Sequence, residues 1–230
     1  GASDGLGEAL AREMSAEGAE LVLSARNGEK LDKIVESLNN NARALCCDVT
    51  SQKSVDTAIA DVGEIDGVVY LAGVYWPMQA KEWCSADATQ MVDVNLTGAM
   101  RTLGPLVNNF VNRDLGHIVI TGSLVGFRGL PRSIGYTAAK AGLMTLAECM
   151  YYDLKDTGVQ VQMVNPGYIK TRLTDKNKFK MPMIMETDQA AKVMSNHMKT
   201  DKFSISFPWK LAAIFRLGPF LPSWLYYRLY

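Results

Sequence analysis

A serine, a tyrosine and a lysine lie at spacings that could carry out acid–base chemistry. Ser123 follows an apolar run that ends at Thr121, and Tyr136 and Lys140 come thirteen and seventeen residues after Ser123. Residues four apart share one face of a helix, so the Lys140 ammonium can lie beside the Tyr136 phenol. A neighbouring positive charge favours phenolate and lowers the pKa of a tyrosine, which makes it a usable proton donor or acceptor. Ser123 could then hold a carbonyl or hydroxyl oxygen.

A glycine-rich turn opens the sequence and could hold a phosphate. Gly1-Ala-Ser-Asp-Gly-Leu-Gly7 precedes a helical pattern over residues 8–14. Glycine lets the backbone approach a ligand closely, and the free N–H groups of a helix N-terminus attract an anion. The turn by itself also fits an ordinary loop, and a tyrosine four residues before a lysine also fits a half-exposed helix face. The two features therefore need a fold that brings them together.

The composition predicts one large domain and names no macromolecular partner. The 230 residues include 24 basic and 24 acidic side chains, so no net charge favours nucleic acid. The four cysteines lack zinc-ligand spacing, which indicates reduced residues of a cytoplasmic protein. His117 and His197 have no partner at ligand spacing, so we predict no metal site.

Short apolar runs alternate with helical patterns, which indicates an α/β fold. Six strands are predicted over 20–25, 42–47, 67–72, 117–121, 159–164 and 203–207, with helices near 29–39, 51–62, 86–112, 135–157 and 187–199. This order predicts a Rossmann-like doubly wound parallel sheet with helices on both faces, a three-layer α/β/α arrangement. Ligands bind beyond the carboxyl ends of such strands. Because the glycine turn belongs after a strand, we expect a further strand upstream of Gly1, in the middle of the sheet.

The motifs together resemble the short-chain dehydrogenase/reductase family over nearly the whole chain. They are Gly1-x-x-x-Gly5-x-Gly7, Asn95, Ser123, Tyr136-x-x-x-Lys140 and Asn165-Pro-Gly167. The resemblance implies a single dinucleotide-binding and catalytic domain over 1–230 that transfers hydride between a nicotinamide cofactor and a ketone or secondary alcohol. Tyr136 would be the general acid or base, Lys140 would lower its pKa, Ser123 would orient the substrate oxygen, and Asn95 would support a water-linked proton relay.

The same resemblance implies a set of cofactor-binding residues: Gly1, Ser3, Asp4, Gly5, Leu6, Gly7, Arg26, Asp48, Val49, Ala72, Gly73, Tyr136, Lys140, Pro166, Gly167, Ile169 and Thr171. The sequence departs from the family where Leu71 replaces a usual asparagine. No carboxylate ends the strand over 20–25, and Arg26 can pair with a 2′-phosphate, so NADP(H) is preferred. Asp4 argues for NAD(H), which stays the second candidate.

Three segments bear on the substrate and on partners. The loop over 122–135 is apolar and favours an apolar or lipid-like substrate, and the variable segment over 171–187 is a predicted lid. Residues 208–230 form an apolar extension, interrupted by prolines and basic residues, that is not expected to cross a bilayer. It could pack on a sister subunit, contact a membrane peripherally or border the substrate.

The resemblance implies a homodimer or homotetramer. A catalytically silent nucleotide sensor or membrane-peripheral protein on the same scaffold is the alternative function.

Overall fold

A computed structural model describes residues 1–38 and 41–228. Strands and helices alternate through most of this α/β chain. The strands are β1 (Leu21–Ala25), β2 (Ala42–Cys46), β3 (Gly67–Tyr70), β4 (Gly116–Thr121), β5 (Val159–Pro166) and β6 (Ser204–Phe207). The helices are α1 (Gly5–Ala16), α2 (Gly28–Glu36), α3 (Gln52–Val62), α4 (Ser85–Val92), α5 (Gly98–Arg113), α6 (Ile134–Asp153), α7 (Thr187–Met198), α8 (Trp209–Leu217) and α9 (Ser223–Tyr226).

All of the described strand pairs are parallel, as the alternating pattern predicts. β3, β4, β5 and β6 form one sheet in that order, and β1 pairs with β2 in a second sheet. No strand within the described residues pairs β1 with β3. The Gly1 nitrogen lies between their carboxyl ends, where it donates to the Ser24 carbonyl at 2.7 Å. The glycine turn and the ends of β1 and β3 therefore share one edge of the fold.

Successive side chains of the central strands face opposite helix layers, which gives the predicted three-layer arrangement. Ile118 and Ile120 of β4 pack in a cluster with residues of α5 and α6. Val119, between them, packs in a different cluster with residues of α1 and α7. A strand buried on both faces favours apolar side chains on both, which explains the three consecutive apolar residues from Ile118 to Ile120 in β4. This buried sheet is the rigid base from which the site loops extend.

The prediction of a single helix over 86–112 is wrong in one respect, because the structure divides this segment into three parts. α4 ends at Val92, a π-helical turn spans Asp93–Thr97, and α5 continues from Gly98. The sequence patterns did not show the break, because a π-turn inside an α-helix is rare and this one contains no glycine or proline. The π-turn places Asn95 in the interior with 0% exposure.

The C-terminal extension folds into the short helices α8 and α9, which the sequence patterns did not predict. Leu211, Ala212 and Phe215 of α8 are buried in a cluster with Leu124. Among the described residues, no helix has the length and apolar character to cross a membrane. The extension therefore packs on the domain through one side of α8.

Candidate active site

The residues expected to bind a cofactor line one cleft at the carboxyl ends of the strands. The cleft has a volume of about 930 Å³ and includes every member of that expected set. It also includes residues that the sequence did not single out: Asn27, Lys30, Val94 and Arg172. These come from several elements that meet only in the folded chain. Ligands of doubly wound folds bind at this edge of the sheet.

The glycine turn fits a ligand that lies close to the backbone. Gly5 has a φ of +55°, a conformation that residues with a Cβ rarely adopt. A Cβ on Gly7 would lie 2.1 Å from the Gly1 carbonyl oxygen. Gly5 begins α1, so the free N–H groups of that helix face the cleft beside the turn. The turn therefore has the shape and polarity of a phosphate cradle.

The Asp4 carboxylate in the turn is paired with two cations. Arg172 forms a salt bridge with it, and the Lys30 Nζ lies 4.0 Å from its Oδ2. Arg26 also lines the cleft. The negative charge of Asp4 disfavours a phosphate on the cofactor ribose. Arg172 and Lys30 offset that charge in the structure. The sequence patterns did not indicate Lys30, because its position near Arg26 depends on the start of α2 rather than on a recognisable motif.

The catalytic candidates Ser123, Tyr136 and Lys140 come together between β4 and α6. Ser123 lies two residues after the end of β4, and its hydroxyl forms a hydrogen bond with the Tyr136 phenol. The Lys140 Nζ lies 5.8 Å from the centre of the Tyr136 ring. The same Nζ donates to the Thr121 carbonyl at 2.7 Å, which fixes α6 against β4.

Close helix packing positions the tyrosine. A Cβ on Gly135 would lie 2.9 Å from Met91 Cε and 3.0 Å from the Ala88 carbonyl oxygen. A Cβ on Gly142 would lie 2.8 Å from a methyl group of Leu96. These contacts hold α6 directly against α4 and the π-turn. They therefore set the depth at which the side chain of Tyr136 enters the site.

Burial dominates the acid–base properties of both groups. Desolvation raises the pKa of Tyr136 to about 12, although its hydrogen bond with Ser123 acts in the opposite direction. Desolvation lowers the pKa of Lys140 to about 8. Desolvation is the largest effect on the pKa of both groups, and the expectation that Lys140 lowers the Tyr136 pKa stays a prediction. Tyr136 is a neutral phenol, a proton donor, at neutral pH.

Asn95 holds the backbone that follows β3. Its Nδ2 donates to the Val74 carbonyl at 2.9 Å, and its Oδ1 accepts from the Val74 N–H at 2.9 Å. The side chain thus makes two hydrogen bonds to one residue and lines neither the cleft nor the neighbouring cavity. This geometry gives Asn95 a positioning role, and the water-linked relay stays a prediction.

A second cavity of about 790 Å³ adjoins the cleft and is mostly apolar. Ser123, Tyr136 and Gly167 line both spaces. The cavity's apolar walls come from three segments of the chain: Leu124, Val125, Leu130 and Pro131 of the 122–135 loop, Leu173 and Phe179 of the 171–187 segment, and Leu211 and Phe215 of α8. The hydroxyl groups of Ser123 and Tyr136 therefore lie where the cleft meets a more apolar cavity.

The 171–187 segment is fastened to the residues after β3. The Tyr75 hydroxyl donates to Asn177 Oδ1 at 3.0 Å, and the Lys176 Nζ donates to the Tyr75 carbonyl at 2.7 Å. The Tyr75 ring also meets the Tyr136 ring edge-on, with centroids 5.1 Å apart. Of the aromatic residues that follow β3, Tyr75 lines the cavity, Trp76 packs against the buried cluster that includes Met91, and Trp83 is 56% exposed.

Two structural residues near the site were not identified from the sequence. The buried Tyr70 hydroxyl donates to the Val94 carbonyl at 2.6 Å, which joins β3 to the π-turn next to the unusual Leu71. Arg128 donates to the carbonyls of Gly218 and Leu221 at 2.5 and 2.6 Å, which joins the 122–135 loop to the C-terminal extension. Both links span distant parts of the chain, so no local pattern signals them.

No group of three or more His, Cys, Asp or Glu side chains within the described residues could hold a metal ion. His117 Nε2 forms a hydrogen bond of 2.9 Å with Gln162 Oε1, in which the amide oxygen accepts, and burial lowers the pKa of His117. His197 is buried in α7. The four cysteines are free.

The chain is similar in sequence to known proteins over most of its length. The family model for short chain dehydrogenases matches residues 1–181. An uncharacterized oxidoreductase of Myxococcus xanthus is 35% identical over 233 residues, which cover 98% of this chain and 92% of the relative. A 3-oxoacyl-(acyl-carrier-protein) reductase of Rickettsia bellii is 30% identical over 176 residues, which cover 76% and 73% of the two chains.

Solved structures show the same fold. A short-chain dehydrogenase from Sphingobium yanoikuyae in complex with NADPH has a TM-score of 0.83 at 23% identity, covering 97% of this chain and 94% of that one. A 3-oxoacyl-(acyl-carrier-protein) reductase from Brucella melitensis with bound NAD has a TM-score of 0.80 at 24% identity, covering 90% and 87%. The chain belongs to the short-chain dehydrogenase family of NAD(P)-dependent oxidoreductases, and the family and fold predicted from the sequence are confirmed.

Proposed function

We propose that this protein transfers hydride between NADP(H) and an apolar ketone or secondary alcohol. The observation that carries the proposal is the position of Ser123 and Tyr136, which line both the cleft and the more apolar cavity. A cofactor in the cleft and a substrate in the cavity would meet at these two hydroxyl groups. An oxidoreductase needs this junction because the reacting carbon must contact the cofactor while its oxygen contacts a proton donor.

The donor set of the cleft fits a phosphorylated dinucleotide. The glycine turn and the start of α1 would hold the pyrophosphate, and Arg26 with Lys30 would face a phosphate on the adenosine ribose. The bound nicotinamide would supply or accept a hydride. Both cations line the same cleft, which favours NADP(H), and the pairing of Asp4 with Arg172 supports this preference. NAD(H) is the second cofactor of this proposal.

Tyr136 would donate the proton to the substrate oxygen during carbonyl reduction. Its pKa of about 12 keeps the phenol protonated at neutral pH, which suits the reductive direction. Ser123 would orient the same oxygen through its hydroxyl. Lys140 would hold the cofactor ribose from its buried position and anchor α6 through Thr121, while Asn95 would keep the backbone after β3 in place.

The cavity lining favours an apolar substrate. Leu124, Leu130, Phe179, Leu211 and Phe215 contribute to its walls. Burial of apolar surface stabilises a bound ligand by about 25 cal/mol for each Å² removed from water. We therefore propose that affinity rises with the chain length of the carbonyl compound.

A Tyr136→Phe variant tests the proposal. The wild-type protein should oxidise NADPH in the presence of a ketone panel of increasing chain length, as followed by absorbance. The variant should lose about 10²- to 10⁴-fold in kcat, because it lacks the proton donor. Tyr152→Phe is the matched control, since Tyr152 lies on the same helix and is 67% exposed. Unchanged turnover in Tyr136→Phe would refute the mechanism.

The remaining proposals concern the protein's state in the cell. We propose a homodimer or homotetramer in the cytoplasm, with residues 208–230 in peripheral contact with a membrane. Sedimentation of the full chain measures the oligomeric state. A nucleotide sensor without turnover is the alternative, and it predicts NADPH binding with no ketone reduction by the wild-type protein.

A further inference from the structure

The helix α8 separates the substrate cavity from the surface of the protein. Leu211 and Phe215 face inward and line the cavity, together with residues of the 122–135 loop. Lys210, Ile214 and Leu217 are exposed, and their spacing places them on the opposite side of the helix. On this side, α8 alone therefore lies between the cavity and the surface of the protein.

The surface of the C-terminal segment carries large exposed apolar side chains. They are Trp209 at 73%, Ile214 at 52%, Leu217 at 61%, Phe220 at 83% and Trp224 at 66% exposure. Soluble monomers rarely concentrate so many apolar side chains in one short segment, and such surfaces mark interaction sites. Tryptophan and phenylalanine are the side chains that insert at the boundary between lipid head groups and acyl chains.

The charge of the segment decides which partner fits this surface. Residues 208–230 contain the basic side chains of Lys210, Arg216 and Arg228, and the sequence from 202 to 230 has no aspartate or glutamate. This one-sided charge contrasts with the zero net charge of the whole chain. Basic side chains beside exposed aromatics complement an anionic lipid surface.

The segment is fixed to the domain and does not depend on the membrane for its structure. Arg128 donates to Ser223 Oγ at 3.0 Å, and its guanidinium group lies 4.3 Å from the centre of the Tyr226 ring. The buried faces of Tyr226 and Phe215 complete this attachment. The exposed aromatics are thus presented by a preformed surface, which lowers the ordering cost of docking.

We propose that the exposed surface of the C-terminal segment, made of Trp209, Ile214, Leu217, Phe220 and Trp224, docks this protein on an anionic lipid bilayer. The consequence for substrate choice rests on the proposed function. Because the other side of α8 lines the cavity, a substrate that partitions into the bilayer would bind next to the docked surface. The protein lies on the membrane and acts on carbonyl compounds that dissolve in lipid.

Vesicle flotation of the full chain tests the docking. Phosphatidylcholine vesicles with phosphatidylserine should carry the protein, and vesicles of phosphatidylcholine alone should carry much less. Phe220→Ala combined with Trp224→Ala should weaken binding at least about tenfold, because two large apolar side chains no longer leave water. Lys210→Gln should weaken binding about fivefold, and only on vesicles with phosphatidylserine. Trp83→Ala is the control, since it removes an exposed aromatic residue outside the segment.

Each result separates docking from catalysis. Reduction of a water-soluble ketone by the Phe220→Ala, Trp224→Ala variant should equal that of the wild type, because neither residue lines the cavity. Equal flotation of wild type and variant, or no flotation of either, would overturn the docking proposal and leave the proposed function intact. If the double variant instead dissociates an oligomer in sedimentation and vesicles never bind the wild type, the surface is a subunit interface and the proposal is wrong.

Discussion

The Lys140 Nζ donates a hydrogen bond of 2.7 Å to the main-chain carbonyl of Thr121. This bond joins the helix that carries Tyr136 to the strand that leads to Ser123. The side chain of Lys140 is 5% exposed, so this hydrogen bond lies in the protein interior. One buried side chain therefore sets the relative positions of the two hydroxyl groups of the site.

Burial of Lys140 makes the stability of the fold depend on pH. Its pKa is lowered from 10.5 to about 8, so between these values the unfolded chain binds more protons than the folded protein. The contribution of this site to the free energy of unfolding therefore rises as pH increases through that window. Urea titration gives the free energy of unfolding of the wild type and of Lys140→Met at each pH. The wild type should become more stable relative to the variant as pH rises.

Lys192→Met is the control for this titration, because Lys192 is an exposed lysine on α7. The difference in free energy of unfolding between Lys192→Met and the wild type should stay constant over the same pH range. A Lys140→Met difference that does not change with pH would contradict the buried placement of the amine.

Arg26 and Lys30, which line the cleft, should set the preference between NADPH and NADH. Arg26→Ala and Lys30→Ala each remove a charge that faces the proposed ribose phosphate, so the KM for NADPH should rise about tenfold or more, while the KM for NADH changes little. Steady-state kinetics with both cofactors measures the effect. Lys33→Ala, on the same helix but outside the cleft, should leave both KM values unchanged. Equal losses with NADPH and NADH would rule out recognition of the phosphate.

Tyr70 should stabilise the sheet in place of the asparagine that Leu71 replaces. Tyr70→Phe removes a buried donor and leaves the Val94 carbonyl without this hydrogen bond. The free energy of unfolding should fall by about 1–3 kcal/mol in urea titration. Tyr227→Phe, at an exposed tyrosine, should change it by less than about 0.5 kcal/mol. A neutral Tyr70→Phe variant would show that the link between β3 and the π-turn contributes little.

Arg128 should hold the cavity wall in place. Arg128→Met removes the hydrogen bonds to Gly218, Leu221 and Ser223. Amide hydrogen exchange over residues 218–228 should become faster, and the KM for long-chain ketones should rise more than that for short ones. Arg128→Lys should give an intermediate effect, because lysine keeps the charge but loses the planar array of donors.

Arg12→Met removes an exposed arginine that pairs with Glu8 on α1, far in sequence from the extension. It should leave exchange over 218–228 unchanged. If Arg128→Met also leaves exchange unchanged, the attachment depends on the buried apolar side chains and not on this arginine.

The sequence was sufficient for the fold class, the family and many of the residues that line the cleft. Strand and helix periods are local properties, and the glycine turn and the Tyr136–Lys140 spacing are short motifs whose chemistry depends on few neighbours. The order and spacing of the motifs are therefore enough to assign Ser123, Tyr136 and Lys140 to one site. The strand limits differ only at their ends, as at β3, which ends at Tyr70 rather than at residue 72.

Only the tertiary structure decided the environment of those residues. Burial raises the pKa of Tyr136 and lowers the pKa of Lys140, and this desolvation depends on every element packed around the pair. The π-turn at Asn95 and the bonds of Arg128 to the C-terminal segment join residues far apart in sequence. Such contacts have no local signature, since they form only when the helices pack on the finished sheet.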